Sequence, residues 1–188
     1  MSMPVKFIST EIPAVLEVHC GVAGDDRGFF SEIYSEKTWT EVGYAMRFVQ
    51  DNISQSVKGT LRGLHYQNKP HAQGKLIRVM RGSIYDVAVD IRKGSPTFGK
   101  WVGREMSAKN KMAMWVPEGF AHGFIALEDE TLIMYKCTDF YAPQSQHTIL
   151  WNDPKVNIQW PMEPLVLSEK DAVAPVLDEA DYNFVYSA

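Results

Sequence analysis

Residues 83–92 read SIYDVAVDIR, and their alternation decides the fold class. Tyr85, Val87, Val89 and Ile91 point one way while Asp86, Ala88, Asp90 and Arg92 point the other, the two-residue period of a half-buried β-strand. Working outward, segments of similar length recur at 48–57, 60–66, 75–81, 100–107, 112–116, 121–127 and 131–138. Turn chemistry separates them, at Lys58-Gly59, Arg81-Gly82, Lys93-Gly94, Glu118-Gly119 and Glu128-Asp129. Many short strands with Gly turns predict an all-β protein, a sandwich or jelly-roll barrel, over a βαβ fold. Two short helices are expected. One follows Ser35 and runs through Trp39 and Val42; the other follows Ser168, which can cap the run EKDA with Glu169 and Asp171 in its first turn.

Of the 188 residues, 45% are hydrophobic, enough to build a core without disulfides. No repeat, linker or charge run divides the chain, so residues 1–188 are expected to form a single domain. The balance of 19 Lys+Arg against 23 Asp+Glu gives a net charge of -4 and no general attraction to polyanions, which argues against nucleic acid as a partner. The first twenty residues carry Lys6, Glu11 and Glu17 and no long apolar block, so neither a signal peptide nor a membrane span is expected, and the cytoplasm is the expected location. Cys20 and Cys137 lie in no CxxC pair and are expected to be two buried thiols.

The polar residues on these strands carry more information than the apolar ones. In FVQDNIS (48–54), Gln50 and Asn52 share a face with Phe48 and Ser54. That face is either a lumen lined with amides, suited to a hydroxyl-rich or nucleotide ligand, or a solvated exterior; parity alone does not choose. The run GTLRGLHYQNKPHAQGKLIRV (59–79) puts Arg62, His65, His71, Lys75 and Arg78 into one strand-turn-strand unit, a cluster costly to bury without a ligand. Taken singly, each of these also fits an ordinary structural or solvated role. Tyr135 in TLIMYKCT and Asp171 in SEKDA read by themselves as a core phenol and a helix-dipole partner.

VPEGFAHGF (116–124) places His122 after a Pro-x-Gly turn and resembles the second motif of the cupins, the small jelly-roll superfamily. A metal-binding cupin requires an HxH pair followed by Glu. Here His65 is followed by Tyr66 and Gln67, and no carboxylate stands near His71 in the sequence, so a metal-free barrel is expected.

Taken together, DDRGFFSEIY (25–34), FVQDNISQSVKGTLRGLHYQ (48–67), the long block 73–103, NKMAMWVPEGFAHGF (110–124), YKCTDFY (135–141), WNDP (151–154) and LSEKDA (167–172) resemble the dTDP-4-dehydrorhamnose 3,5-epimerases nearly end to end. The resemblance implies a jelly-roll homodimer without cofactor or metal, acting on dTDP-4-dehydro-6-deoxy-glucose to give dTDP-4-dehydro-L-rhamnose. Mapped by motif, the family's base falls on His65, its carboxylate partner on Asp171, its enolate-stabilising lysine on Lys75 and its acid on Tyr135. Contacts to the nucleotide sugar fall on Arg27, Glu32, Gln50, Asn52, Arg62, His122 and Lys170, with Phe30 and the Phe140/Tyr141 pair placed to meet the thymine ring. Two positions depart from the family pattern: Gln146 stands where Glu is common, keeping an acceptor but losing a charge, and Phe140 stands where Tyr is frequent.

These residue types suit proton transfer beside a ketone. A neutral imidazole, with an unperturbed pKa of about 6.5, is matched to neutral pH as a base. A carboxylate on its far nitrogen fixes the tautomer, an ammonium in a water-poor site stabilises the enolate oxygen, and a phenol is protonated and ready to donate. Three other readings are weighed: a 3- or 5-mono-epimerase of a related dTDP-deoxysugar, a catalytically silent sugar-nucleotide-binding cupin and, last, a metal-dependent cupin. Isotope exchange at C3 and C5 separates the first, turnover after His65→Ala the second, and chelator sensitivity the third.

Overall fold

The computed structural model describes residues 3–187. Its strands, in chain order, are β1 (Val5–Ser9), β2 (Leu16–Cys20), β3 (Ala23–Asp25), β4 (Gly28–Phe30), β5 (Gln50–Ser56), β6 (Leu61–Gln67), β7 (Lys75–Arg81), β8 (Ser83–Asp90), β9 (Trp101–Ser107), β10 (Ala113–Val116), β11 (Phe120–Ala126), β12 (Thr131–Cys137) and β13 (Gln146–Thr148). Two short helices join them, α1 (Glu36–Glu41) and α2 (Glu169–Ala172). A six-stranded sheet runs β1-β2-β10-β7-β12-β5 and a five-stranded sheet β13-β6-β11-β8-β9, while β3 and β4 form a separate ribbon. Every strand pair in both sheets is antiparallel, as a jelly-roll barrel requires.

Three apolar layers follow from this order. Between the sheets, Ile77, Val79, Ile84, Met106, Met114 and Ile133 fill one end of the barrel. On the outer face of the six-stranded sheet, Trp39 is 1% exposed against Leu16, Val18, Leu76 and Ala113. Burial of a tryptophan removes roughly 150–250 Å² from water, about 4–6 kcal/mol at most by area. The helix carrying Trp39 begins at Ser35, whose side chain accepts from the Thr38 amide, and it ends at Glu41 with Val42 as its cap. The third layer lies over the five-stranded sheet, where Ile149, Val156, Ile158, Leu177 and Phe184 of the C-terminal segment cover Leu64, Val87, Val89 and Ile91.

That third layer corrects the reading of residues 83–92 as half-buried. β8 is an interior strand of its sheet, between β11 and β9, and is buried on both faces, because the C-terminal segment shields one side and the barrel interior the other. Its acidic residues are inside and paired: Asp86 with His122 at 2.8 Å, and Asp90 with Arg92, Ser95 and Thr97. Residues 59–79 are not one strand-turn-strand unit either, since β6 and β7 lie in opposite sheets. Phe48 precedes β5 and turns to the outer aromatic cluster around Trp39 and Trp115, away from Gln50 and Asn52. Cys137 is buried as expected, whereas Cys20 is only partly so. The strands β1 to β4 and β13 add to the eight read from alternation.

Candidate active site

The crossing from β6 to β7 puts their polar residues on facing walls. On the five-stranded side, His65 in β6 stands directly across from His122 in β11. The two strands approach so closely that a Cβ on Gly63 would lie 2.5 Å from the Gly123 Cα, and their register shifts between His122 and Phe124. On the six-stranded side, β7 contributes Lys75, β12 contributes Tyr135 and Cys137, and β5 contributes Gln50, Asn52 and Ser54; Tyr135 is opposite Asn52 and Cys137 opposite Lys75. The alternation of β5 resolves in favour of the lumen. Gln50, Asn52 and Ser54 face in, while Ile53 on the opposite parity is 70% exposed.

Each imidazole in the site is held by its own carboxylate. His65 Nε2 lies 2.6 Å from Asp171 Oδ1, and His122 Nε2 lies 2.8 Å from Asp86 Oδ1. Asp171 is delivered by α2: the Ser168 hydroxyl accepts its amide and caps the helix, and the Gly63 amide donates to its second oxygen at 3.5 Å. With Nε2 donating to an ionised carboxylate, the lone pair of His65 resides on Nδ1. Among the described residues no three His, Cys, Asp or Glu side chains converge as a metal-ligand cluster.

A cavity of about 230 Å³ is lined by Ser54, Arg62, His65, Lys75, His122, Phe124, Ile133 and Tyr135. A second lobe of about 250 Å³ shares His65, Lys75 and Tyr135 and extends to Gln50, Asn52, Tyr141 and Gln146. A third opening is lined by Arg62, His65, Gln146, Lys170 and Asp171. The imidazole, ammonium and phenol therefore border one continuous space. The Ser54 hydroxyl in its wall is buried and has no hydrogen-bond partner.

Burial sets the titration of these groups. It pulls His65 below the ordinary imidazole value, against the hydrogen bond and charge of Asp171, which pull the other way. Burial also pushes the Asp171 carboxyl up, but the hydrogen bond and charge of His65, with those of Ser168 and Gly63, outweigh it and hold the group below its usual range. The pair at neutral pH is thus imidazole and carboxylate. Lys75 is lowered by burial, with Cys137 and Asp86 countering, and Tyr135 is raised by burial and by Cys137, so the phenol keeps its proton.

Eleven of the fifteen residues named from sequence border this space: His65, Lys75, Tyr135, Asp171, Gln50, Asn52, Arg62, His122, Tyr141, Gln146 and Lys170. Four do not. Arg27 is exposed and paired with Asp25, Phe30 is 66% exposed on β4, Glu32 accepts from Thr38, and Phe140 is exposed beside the mouth, its amide donating to Asp139 and its carbonyl accepting from Gln67. Arg27, Phe30 and Glu32 sit on or just after the β3–β4 ribbon, which belongs to neither wall. The Tyr141 hydroxyl donates to Gln146 Oε1 at 2.8 Å, so the amide at position 146 still serves as an acceptor.

Asp86 and Cys137 were missed. Cys137 shares the parity of Tyr135 two residues earlier, which would have placed it on the lumen. Asp86 was placed on a solvated face, although a carboxylate in the middle of an aliphatic strand is itself a sign of a buried partner.

A family model described as dTDP-4-dehydrorhamnose 3,5-epimerase matches residues 9–179. The dTDP-4-dehydrorhamnose 3,5-epimerase of Shigella flexneri is 54% identical over 179 residues, covering 95% of this chain and 99% of its own length. A dTDP-6-deoxy-D-glucose-3,5-epimerase from Legionella pneumophila, solved in complex with dTDP-4-keto-L-rhamnose, superposes with a TM-score of 0.94 at 47% identity and covers 98% of this chain and 100% of that one. The dTDP-4-dehydrorhamnose 3,5-epimerase of Bacillus anthracis, solved with TDP and PPi bound, has a TM-score of 0.89 at 46% identity, covering 92% of this chain and 99% of its own. With a family match, sequence identity and superposed fold that each span nearly the whole sequence, this chain belongs to the dTDP-4-dehydrorhamnose 3,5-epimerase family.

Proposed function

We propose that this chain inverts C3 and C5 of dTDP-4-dehydro-6-deoxy-glucose, giving dTDP-4-dehydro-L-rhamnose, and that His65 and Tyr135 are the base and acid. The observation that carries the reading is the placement of His65, with its carboxylate, on one wall of a cavity whose facing wall holds Lys75 and Tyr135. In a gluco-configured chair the hydrogens on C3 and C5 are axial on the same face, so one base serves both centres. His65 Nδ1 takes the proton, the electron pair passes into the ring as an enolate, and the Asp171 carboxylate stabilises the imidazolium that forms. Charge accumulates on the C4 oxygen, where the Lys75 ammonium acts without competition from bulk water. Tyr135 returns a proton to the opposite face. One proton leaves and one arrives at each carbon, so the balance calls for no redox partner.

The pyrophosphate is assigned to Arg62 and Lys170 at the third opening. Arg62 Nε donates to Ser56 Oγ at 3.2 Å, which holds the fork in position. Gln50 and Asn52 are joined side chain to side chain at 3.0 Å and offer their remaining amide valences, together with Ser54, to hydroxyl and carbonyl groups. Arg27, Phe30 and Glu32 are assigned to the nucleotide of a neighbouring copy. Phe29 and Phe30 are 64% and 66% exposed on the ribbon, surface that a homodimer would cover. The proposed setting is the cytoplasm. No helix among the described residues is long and apolar enough to cross a membrane.

Turnover in heavy water tests the reaction. Deuterium is expected at both C3 and C5 of the product; label at one carbon alone would replace this reading with a mono-epimerase.

A further inference from the structure

We propose a second ligand site, for an oxyanion, on the face of the six-stranded sheet opposite the catalytic cavity. Along β7 the parity that sends Lys75 and Ile77 into the barrel sends Arg78 and Met80 outward. Arg78 is nevertheless only 6% exposed. Among the described residues it forms no ion pair within 4.0 Å, and its Nη1 has no hydrogen-bond partner. It hydrogen-bonds the Cys20 thiol, which burial pushes up, so this partner is neutral; the Glu32 carboxylate also acts on that thiol but stands beyond ion-pair distance of Arg78.

This guanidinium lies in the wall of a cavity of about 210 Å³ bordered also by Phe29, Ser31, Ile33, Met80 and Lys111. No lining residue is acidic. Lys111 brings a second cation, with its ammonium 4.9 Å from the centre of the Phe29 ring. Two positive groups, one of them desolvated and without a counter-charge within 4.0 Å, thus border one small, otherwise largely apolar space in a chain whose net charge is negative. A buried cation without a partner is strongly unfavourable. A planar guanidinium with an unsatisfied donor is well matched by an oxygen of a carboxylate or phosphate. The volume suits a single phosphate or carboxylate group; a nucleoside diphosphate would not be enclosed. The source is either a free anion or an acidic side chain of a second copy, since Met80 at the rim is 49% exposed and Phe29 64%.

The test uses inorganic phosphate against chloride at matched ionic strength, read by thermal unfolding of wild type, Arg62→Met and Arg78→Met. Arg62→Met controls for phosphate in the catalytic cavity. For a free anion, phosphate raises Tm by several degrees in wild type and Arg62→Met and leaves Arg78→Met unmoved. For a side chain of a second copy, phosphate has little effect, but Arg78→Met shifts the sedimentation equilibrium toward monomer by about tenfold or more, as the loss of a charge-assisted contact at an interface implies. A phosphate response that survives in Arg78→Met, or no phosphate response with unchanged assembly, overturns the proposal. Should Arg78→Met fail to fold, Lys111→Met at the partly exposed rim replaces it. That variant is expected to raise the phosphate midpoint or the dimer dissociation constant severalfold, and no change in either overturns the proposal equally.

Discussion

Replacing Asp171 by Asn keeps the size of the side chain and removes its charge, so it tests what the carboxylate does for His65. The contact is 2.6 Å long and Asp171 is 3% exposed, so the bond is short, charge-assisted and shielded from water. Hydrogen bonds to charged groups are worth about 1.5–3 kcal/mol, which at about 1.4 kcal/mol per decade predicts a fall in kcat of roughly 10- to 150-fold from lost stabilisation of the imidazolium. An amide can also present its NH₂ to Nε2 and reverse the tautomer. The corresponding change in a Ser-His-Asp triad lowers kcat about 10⁴-fold, which sets the upper bound.

The pH profile distinguishes this role from a merely structural one. The proposed reaction requires neutral His65, so the acidic limb of kcat/KM is expected to report its pKa, which burial already holds below the ordinary value while Asp171 pulls it upward. Removing the negative charge removes the upward pull. The limb in Asp171→Asn is therefore expected to move to lower pH while the plateau drops. Steady-state kinetics from about pH 4.5 to 8, with thermal unfolding to verify folding, give both quantities. A lowered plateau with the limb unmoved or moved to higher pH would refute the assignment of Asp171 as the partner of the base.

The other outcomes follow from the same geometry. Lys75→Met should lower kcat by about 10²–10³-fold, the usual effect of losing one oxyanion donor, and should suppress solvent deuterium exchange along with turnover. Tyr135→Phe should lower net inversion by roughly 10²–10⁴-fold yet still exchange the hydrogen next to the ketone in heavy water, because His65 and Lys75 are intact; loss of exchange in step with inversion would count against Tyr135 as the acid. Gly63→Ala would place a methyl against the Gly123 backbone at a φ of +139°, so a fall in Tm and in activity together is expected, and an unchanged Tm would show that the two strands can part.

What could be read from the sequence was the periodicity; what could not was the side of the sheet to which each parity belongs. Alternation located β5 to β12 to within two residues at each end, because the two-residue period is a local property of the chain. Deciding that Asp86 faces His122 required knowing that the last forty residues, which have almost no regular structure, return to cover the outside of β8 and leave its polar face the barrel interior. No pattern within SIYDVAVDIR contains that information, since the covering residues lie more than fifty positions away. The catalytic set was legible only as motifs. Lys75 and His65 are ten residues apart in sequence, and proximity in the chain made them look like members of one hairpin. They face each other because the chain between them crosses from one sheet to the other, and it is this crossing that puts an imidazole and an amine on opposite walls of one cavity, as the proposed base and oxyanion partner require.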